Sequence, residues 1–383
     1  MKSARMFYLG LALCAVVATP GADAMNAYTR AGPALVYHDG LQLFHPGHNN
    51  EFLWHAEYDG RAWTQHGIIR DRPGTSAAMA YQTPDATAVR WRRERAITRL
   101  NLVFFGHNND RIWHTSLLNP TGAEDFSWST PVSIPGSVSK ATPSATTAYW
   151  GASRDPSLTV AYTQPDGRIA LQYGYECKLA RALGGYVHGP ACVPGTLAPS
   201  DWSDPVVLLA TISADNGPAI EVFQDRVYVF YRGPRAPSDA IYYTRNGELY
   251  RADTFVAPMR LPNANTRWAP LQRPVTTLVH DNKLIVGFVG HNNDRVFLVQ
   301  TRNGEDWESL GFVPHVRTRF TPSLAANDGT VYLAFKEYSE SETAQPTHEE
   351  TCVGTLDIQG RNAHVWTSIR RDKPGLLCTV AAQ

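Results

Sequence analysis

The tripeptide His-Asn-Asn occurs three times, in GHNNEFLWH (47–55), GHNNDRIWH (106–114) and GHNNDRVF (290–297). An imidazole beside two carboxamides presents donors and acceptors together, a set that suits the hydroxyl groups of a polar ligand. The residues this points to are His48, Asn49, His107, Asn108, His291 and Asn292. Six residues after each histidine stands a large ring, Trp54, Trp113 or Phe297, able to stack on a ligand or to pack in a core. A shared metal is not expected, because zinc needs nitrogens about 2.0–2.1 Å away and these turns belong to separate units. The same tripeptide also suits a tight turn, since Asn tolerates positive φ. Both readings stay open at this level.

A second set of reactive side chains sits at the ends of two similar apolar runs, VYVFYR (227–232) and VYLAFKEY (331–338). Tyr231, Arg232, Glu337 and Tyr338 offer a base, a guanidinium to neutralise a carboxylate, and an acid, the parts a polysaccharide lyase or a glycoside hydrolase would need. Ordinary polar residues at strand ends are the plainer account. The main cluster of charge is VRWRRERAITR (89–99), where Arg92 stands among Arg90, Arg93, Arg95 and Arg99. Such guanidiniums pair bidentately with carboxylates or sulfates, and with Arg232 and Lys336 they would form an anionic-sugar site if brought to one face. No G-x-S-x-G, P-loop, G-x-G-x-x-G or H-E-x-x-H is present, so acyl-transfer, nucleotide and zinc-protease chemistry lack motif support. No cofactor is implied.

The elements that must hold these residues are read from the repeat. His48, His107 and His291 are 59 and 184 residues apart, the second interval close to three of the first. Two units without the motif should therefore intervene, and LTVAYTQPDGRIALQY (158–173) and VYVFYRGPRAPSDAIYY (227–243) have the expected form of strand, turn and strand. A sixth begins at VYLAFKEYSESE (331–342). Leu41–Leu43, Leu100–Phe105 and Leu284–Val289 read as strands, as do FLWHAEY, RIWHTSL and RVFLVQT after the break. A second break follows in YDGRAW (58–63) and RNGEDW (302–307), with hairpin-favouring Asp-Gly and Asn-Gly. TSAAMAY, TPSATTAY, GPAIEVF, RPVTTLV and TPSLAAN open the following units. Four strands per unit, no amphipathic helix and about 60 residues per repeat predict an all-β chain, a six-bladed β-propeller, with five or seven blades still possible. His-Asn-Asn falls between the second and third strands of a blade.

At the level of the whole chain, Lys2 and Arg5 precede an apolar run, FYLGLALCAVVA (7–18), and a small-residue site at Ala22 and Ala24. That is the layout of a secretory signal peptide. It predicts cleavage after Ala24, a single propeller domain over 25–383, a secreted or periplasmic product and no stable membrane insertion. Cys177, Cys192, Cys352 and Cys378 then remain, an even number in an oxidising compartment. Proximity favours the pairs Cys177–Cys192 and Cys352–Cys378 among three connectivities. Thirty-five basic residues balance 35 acidic ones, so no net charge draws the chain to nucleic acid.

The pattern L-x-L-x-x-x-G-H-N-N-x-x-x-W-H followed by Asp-Gly and Trp resembles the blade repeat of the bacterial fucose-binding propeller lectins called PLL-like. LQLFHPGHNNEFLWHAEYDGRAW (41–63) and RVFLVQTRNGEDWESLG (295–311) carry the resemblance best. It implies a propeller whose blade junctions bind sugars through aromatic stacking and polar side chains, with a glycan as partner. TRNGEDW and EYDGRAW also resemble degenerate Asp-boxes of sialidase-like propellers, which are structural hairpins. The reading of function is a secreted lectin-like propeller. A sialidase-like hydrolase or polysaccharide lyase acting on acidic glycans is the alternative, and a protein-interaction propeller a third.

Overall fold

The computed structural model describes residues 31–46, 52–60, 63–69, 84–90, 98–106, 110–117, 128–149, 156–174, 181–182, 185–186, 202–208, 216–233, 239–248, 251, 253–266, 274–291, 293–336, 351–358 and 364–368. These form six four-stranded antiparallel sheets. Blade 1 comprises β1 (Ala34–Tyr37), β2 (Leu41–Pro46), β3 (Leu53–Tyr58) and β4 (Trp63–Ile68). Blade 2 comprises β5 (Asp85–Arg90), β6 (Thr98–Phe105), β7 (Arg111–Leu117) and β8 (Val132–Val138). Blade 3 takes β9 (Ser144–Tyr149), β10 (Pro156–Thr163), β11 (Ile169–Gly174) and, after a two-stranded ribbon of β12 (Arg181–Ala182) and β13 (Gly185–Tyr186), the short β14 (Val206–Val207). Blade 4 is β15 (Ala219–Phe223), β16 (Arg226–Arg232), β17 (Ala240–Arg245) and β18 (Met259–Asn265). Blade 5 is β19 (Val275–His280), β20 (Lys283–Val289), β21 (Arg295–Thr301) and β22 (Trp307–Arg317), and blade 6 is β23 (Ser323–Asn327), β24 (Thr330–Lys336), β25 (Thr351–Asp357) and β26 (His364–Ser368).

The burial pattern explains the arrangement. A second strand such as KLIVGFV (283–289) is buried along its whole length, which a sheet achieves only when both faces are covered. Each blade is covered by its two neighbours. Six apolar clusters form, one in every gap: blades 1 and 2 around Phe44 and Phe104, 2 and 3 around Val103 and Tyr162, 3 and 4 around Leu171 and Val229. The remaining gaps centre on Phe230 and Val286, Leu298 and Leu333, and Leu43 and Ala334. The last joins blade 6 to blade 1 and closes the ring. Ser323 Oγ accepts the Leu35 N–H at 2.9 Å across that closure. The architecture is an all-β, six-bladed β-propeller, which fixes the blade number the sequence left open.

The hairpins follow local chemistry. Between first and second strands, Gln224-Asp225 and Asp281-Asn282 hold positive φ at both central positions, as does Asp328-Gly329, the mirror-image turn that suits the twist of adjoining strands. The segment RNGEDW is a third-to-fourth hairpin, as expected: Thr301 Oγ1 takes the Gly304 N–H at 2.9 Å, and Asn303 Oδ1 takes the Glu305 and Asp306 N–H groups. Gly304 is required there, since its φ is +77° and a Cβ would meet the Tyr228 hydroxyl of blade 4 at 1.9 Å. One expectation shifts. TSAAMAY (75–81), assigned to the opening of blade 2, lies outside the described residues, and the strand that opens the blade is Asp85–Arg90.

Candidate functional site

The repeated turn has one construction wherever it is described. In blades 2 and 5 the N–H of Gly106 or Gly290 donates to the carbonyl of Arg111 or Arg295, at 2.9 and 2.8 Å. The residue before that arginine, Asp110 or Asp294, has φ of +42° or +51°, and its carbonyl takes the N–H of Ser139 or Thr318 at the end of the fourth strand, both at 2.8 Å. Blade 4 repeats the bonding with a longer loop and no His-Asn-Asn: Gly233 N–H donates to Ala240 O at 3.3 Å, and Asp239 O accepts the Thr266 N–H at 2.9 Å. The turn therefore ties second, third and fourth strands together, and Asp239 is the blade 4 counterpart of Asp110 and Asp294.

At the junction of blades 4 and 5 this construction brings charged groups together. Arg232, the last residue of β16, is 1% exposed. Its Nη2 donates to Asp239 Oδ1. The other carboxylate oxygen, Oδ2, lies 2.6 Å from Nδ1 of His291, in the His-Asn-Asn turn of the next blade. Among the described residues, Nε and Nη1 of Arg232 are buried without a hydrogen-bond partner, an arrangement that costs stability unless it serves something. Asp239 is partly open and the His291 side chain is 43% exposed, so the cluster rises from a buried base to the surface.

Blade 5 carries further groups on the face it turns toward blade 4. Phe297 packs against the apolar cluster shared by blades 4 and 5. It stacks on Phe288 at 5.9 Å and meets Phe312 edge-on at 6.2 Å. Phe312, opposite Phe297 in the ladder, is 42% exposed. The Arg295 guanidinium lies 4.5 Å above its ring, a cation–π geometry. Alternation along β21 places Arg295, Phe297 and Val299 on one face, toward blade 4. The face of blade 5 toward blade 4 thus carries aromatic rings and Arg295, and His291 and Asp239 meet across the same gap.

Of the residues singled out in the sequence, Arg232 and His291 meet here through Asp239. Trp113 occupies the position of Phe297 in blade 2 and packs at the blade 1–2 gap. Trp54 stands opposite His45 in blade 1 and is half-buried. Trp307 packs edge-on to Phe230 and Tyr243 between blades 4 and 5, a structural role. Tyr231 is buried against Tyr242 in the other gap of blade 4, and burial pushes its phenol up, away from use as a base. Lys336 closes β24 as Arg232 closes β16; it is buried with Nζ 4.0 Å from the Phe320 ring centroid. His48, Asn49, Arg92, His107, Asn108, Asn292, Glu337, Tyr338, Cys177, Cys192 and Cys378 lie outside the described residues, and Cys352 is buried on β25. Of the arginine-rich segment, 91–97 lie outside the described residues; Arg90 pairs with Thr98 at the end of blade 2 opposite Gly106. Sequence reasoning missed Asp239, Arg295 and Phe312. A signal for the first exists in Asp-Ala-Ile-Tyr, Asp-Arg-Ile-Trp and Asp-Arg-Val-Phe, the shared entry to third strands.

A second polar assembly lines the axis. A cavity of about 270 Å³ is walled by first-strand residues of all six blades, among them Tyr37, Asp85, Thr146, Glu221, Thr277 and Ser323. Asp85 Oδ2 accepts from Ser144 Oγ at 2.7 Å and from Ala145 N–H at 2.8 Å, while Ser144 Oγ takes the Ile220 N–H at 3.1 Å. Glu221 Oε1 accepts from Val222 N–H at 3.0 Å and Thr146 Oγ1 at 3.3 Å. Enclosure, reinforced by the Asp85 carboxylate, pushes the Glu221 carboxyl up to about 7 against those bonds. These groups join blades 2, 3 and 4. Among the described residues, no group of three or more His, Cys, Asp or Glu could hold a metal, and no helix is long and apolar enough to cross a membrane.

The same architecture occurs in solved structures. The Aleuria aurantia lectin AAL in complex with Fucα1-6GlcNAc superposes with a TM-score of 0.54 at 10% identity, over 91% of this chain and 99% of that one. The likeness is one of fold. A mutant of AofleA from Arthrobotrys oligospora matches with a TM-score of 0.54 at 11% identity, over 89% of this chain and 88% of that one. Trypanosoma rangeli sialidase in complex with the inhibitor DANA reaches 0.50 at 12% identity, over 86% of this chain and 55% of that one. No protein-family model matches the sequence, nor does any curated protein.

Proposed function

We propose that the chain is an exported, lectin-like carbohydrate-binding propeller and that its described site is the cleft between blades 4 and 5. The observation that carries this reading is the Asp239 carboxylate, shared between a buried guanidinium of one blade and the exposed histidine of the next, at a gap whose blade 5 face bears the open Phe312 ring. Sugars combine hydroxyls that need paired donors and acceptors with C–H faces that stack on rings, and the cleft offers both. Structural neighbours whose ligands are fucosides support the class of ligand. Export through the leader at 1–24 and disulfide pairing of the four remaining cysteines belong to the same proposal.

The test is a glycan array probed with the purified protein, beside Asp239→Asn and His291→Ala. The expected result is binding by the parent and loss of about tenfold or more in both variants, with the melting temperature of His291→Ala unchanged. Binding that survives both substitutions places the site elsewhere, and release of a reducing end or an unsaturated uronate from a bound glycan makes the protein an enzyme instead.

A further inference from the structure

We infer that the blade 4–5 cleft is specific for an acidic sugar, one carrying a carboxylate or a sulfate, which the Arg295 guanidinium receives while the Phe312 ring supports the sugar face. This rests on the carbohydrate reading of the cleft and adds its charge preference. Charge on the two sides of this gap does not balance. Arg232 and His291 share the Asp239 carboxylate. Asp294, the neighbouring acid, is taken at 3.2 Å by Arg319. Both described carboxylates are therefore engaged. Arg295 is not: among the described residues its guanidinium has no carboxylate, carbonyl or hydroxyl acceptor, and its contact is the Phe312 ring at 4.5 Å.

Geometry makes that cation useful. A guanidinium held over a ring by its carbon still has N–H groups to donate, and arginine receives a carboxylate or sulfate bidentately through them. Phe312, 42% exposed beside it, gives a pyranose a surface to stack on, and the ring cannot neutralise charge. A neutral sugar would leave the guanidinium unused, and a cationic one would be repelled.

Two properties of the ligand are separable by experiment. An array in which each uronate, sialylated or sulfated glycan is paired with its methyl-ester, reduced or desulfated counterpart would be read with the parent, Arg295→Gln, Arg295→Lys and Phe312→Ala. The expected result is a preference of about tenfold or more for the acidic member of a pair, the size of one charge-assisted pairing. That preference should fall as salt rises, vanish in Arg295→Gln and be partly restored in Arg295→Lys. Phe312→Ala should weaken acidic and neutral members alike. Equal binding of both members by the parent, or a preference that Arg295→Gln leaves intact, overturns the assignment of charge while the carbohydrate reading stands. A parent that binds neither member of any pair removes the carbohydrate reading, and this inference with it.

Discussion

The described histidines differ in their duties. His291 is at the surface, against Asp239. His55 and His114 are buried third-strand residues whose Nε2 atoms bond to second-strand amides, Gln42 at 2.7 Å and Asn101 at 2.9 Å, each 13 residues away. This repeated clamp explains the Trp-His of the motif as a structural pair: the tryptophan faces one gap and the histidine the other. His45, beside the first His-Asn-Asn, is enclosed, and its loss of hydration pulls the imidazole down to about 4 despite a bond to Pro46 O. A histidine whose folded value lies below its unfolded one holds stability above about pH 6.5 and surrenders it as pH falls toward 4. His45→Phe should therefore flatten the acid side of the stability profile between those values, measured as melting temperature against pH. A parallel profile in parent and variant would refute it.

Within the blade, the second-to-third turn is where sequence and structure can be weighed against each other. Asp110 sits at φ +42° and uses its backbone carbonyl to hold Ser139. Its side chain is exposed. Asp110→Gly should be neutral or slightly stabilising, whereas Asp110→Val should cost about 1–2 kcal/mol, since a β-branched residue resists the left-handed region. Equal denaturation midpoints for the two variants would mean the turn is not held in that conformation. At the other end of blade 5, Gly304→Ala sets a Cβ against the Tyr228 hydroxyl, and a loss of about 1–3 kcal/mol is expected from that overpacking and the +77° φ together. The position of both turns was legible because Asn, Asp and Gly recur at a fixed distance from apolar runs. Blade 4 was harder to read: its turn keeps the glycine and the aspartate but spaces them by a longer, unrelated segment, so Asp239 was hidden. Arg295 was plain in the sequence as the residue after GHNND, yet its stacking on Phe312 depends on a fourth strand whose register shifts twice against β21. Periodicity cannot supply that.

For the whole molecule the decisive feature is closure without a shared strand. Blade 1 is built from residues before 70 and blade 6 from residues after 320, so the ring is held by side-chain packing around Leu43 and Ala334 and by polar links along the axis. Glu221 is the link whose charge its enclosure opposes. It accepts bonds from its own strand and from blade 3 while facing Asp85, with Tyr37 the other titratable group on the cavity wall. Its folded value of about 7 lies above the ordinary carboxyl value of 4.5, so the folded ring takes up a proton that the unfolded chain has lost. The sign is opposite to that of His45. This contribution is complete below pH 4.5, and it drains away as pH rises through 7. Glu221→Gln keeps an acceptor for Val222 N–H and Thr146 Oγ1 and removes the charge. The variant should melt higher than the parent at pH 8, converge with it near pH 4, and show a smaller decline between. If the two curves run parallel from pH 4 to pH 8, Glu221 titrates in the folded ring as it does in the unfolded chain, and the axial cavity is wetter than its lining implies.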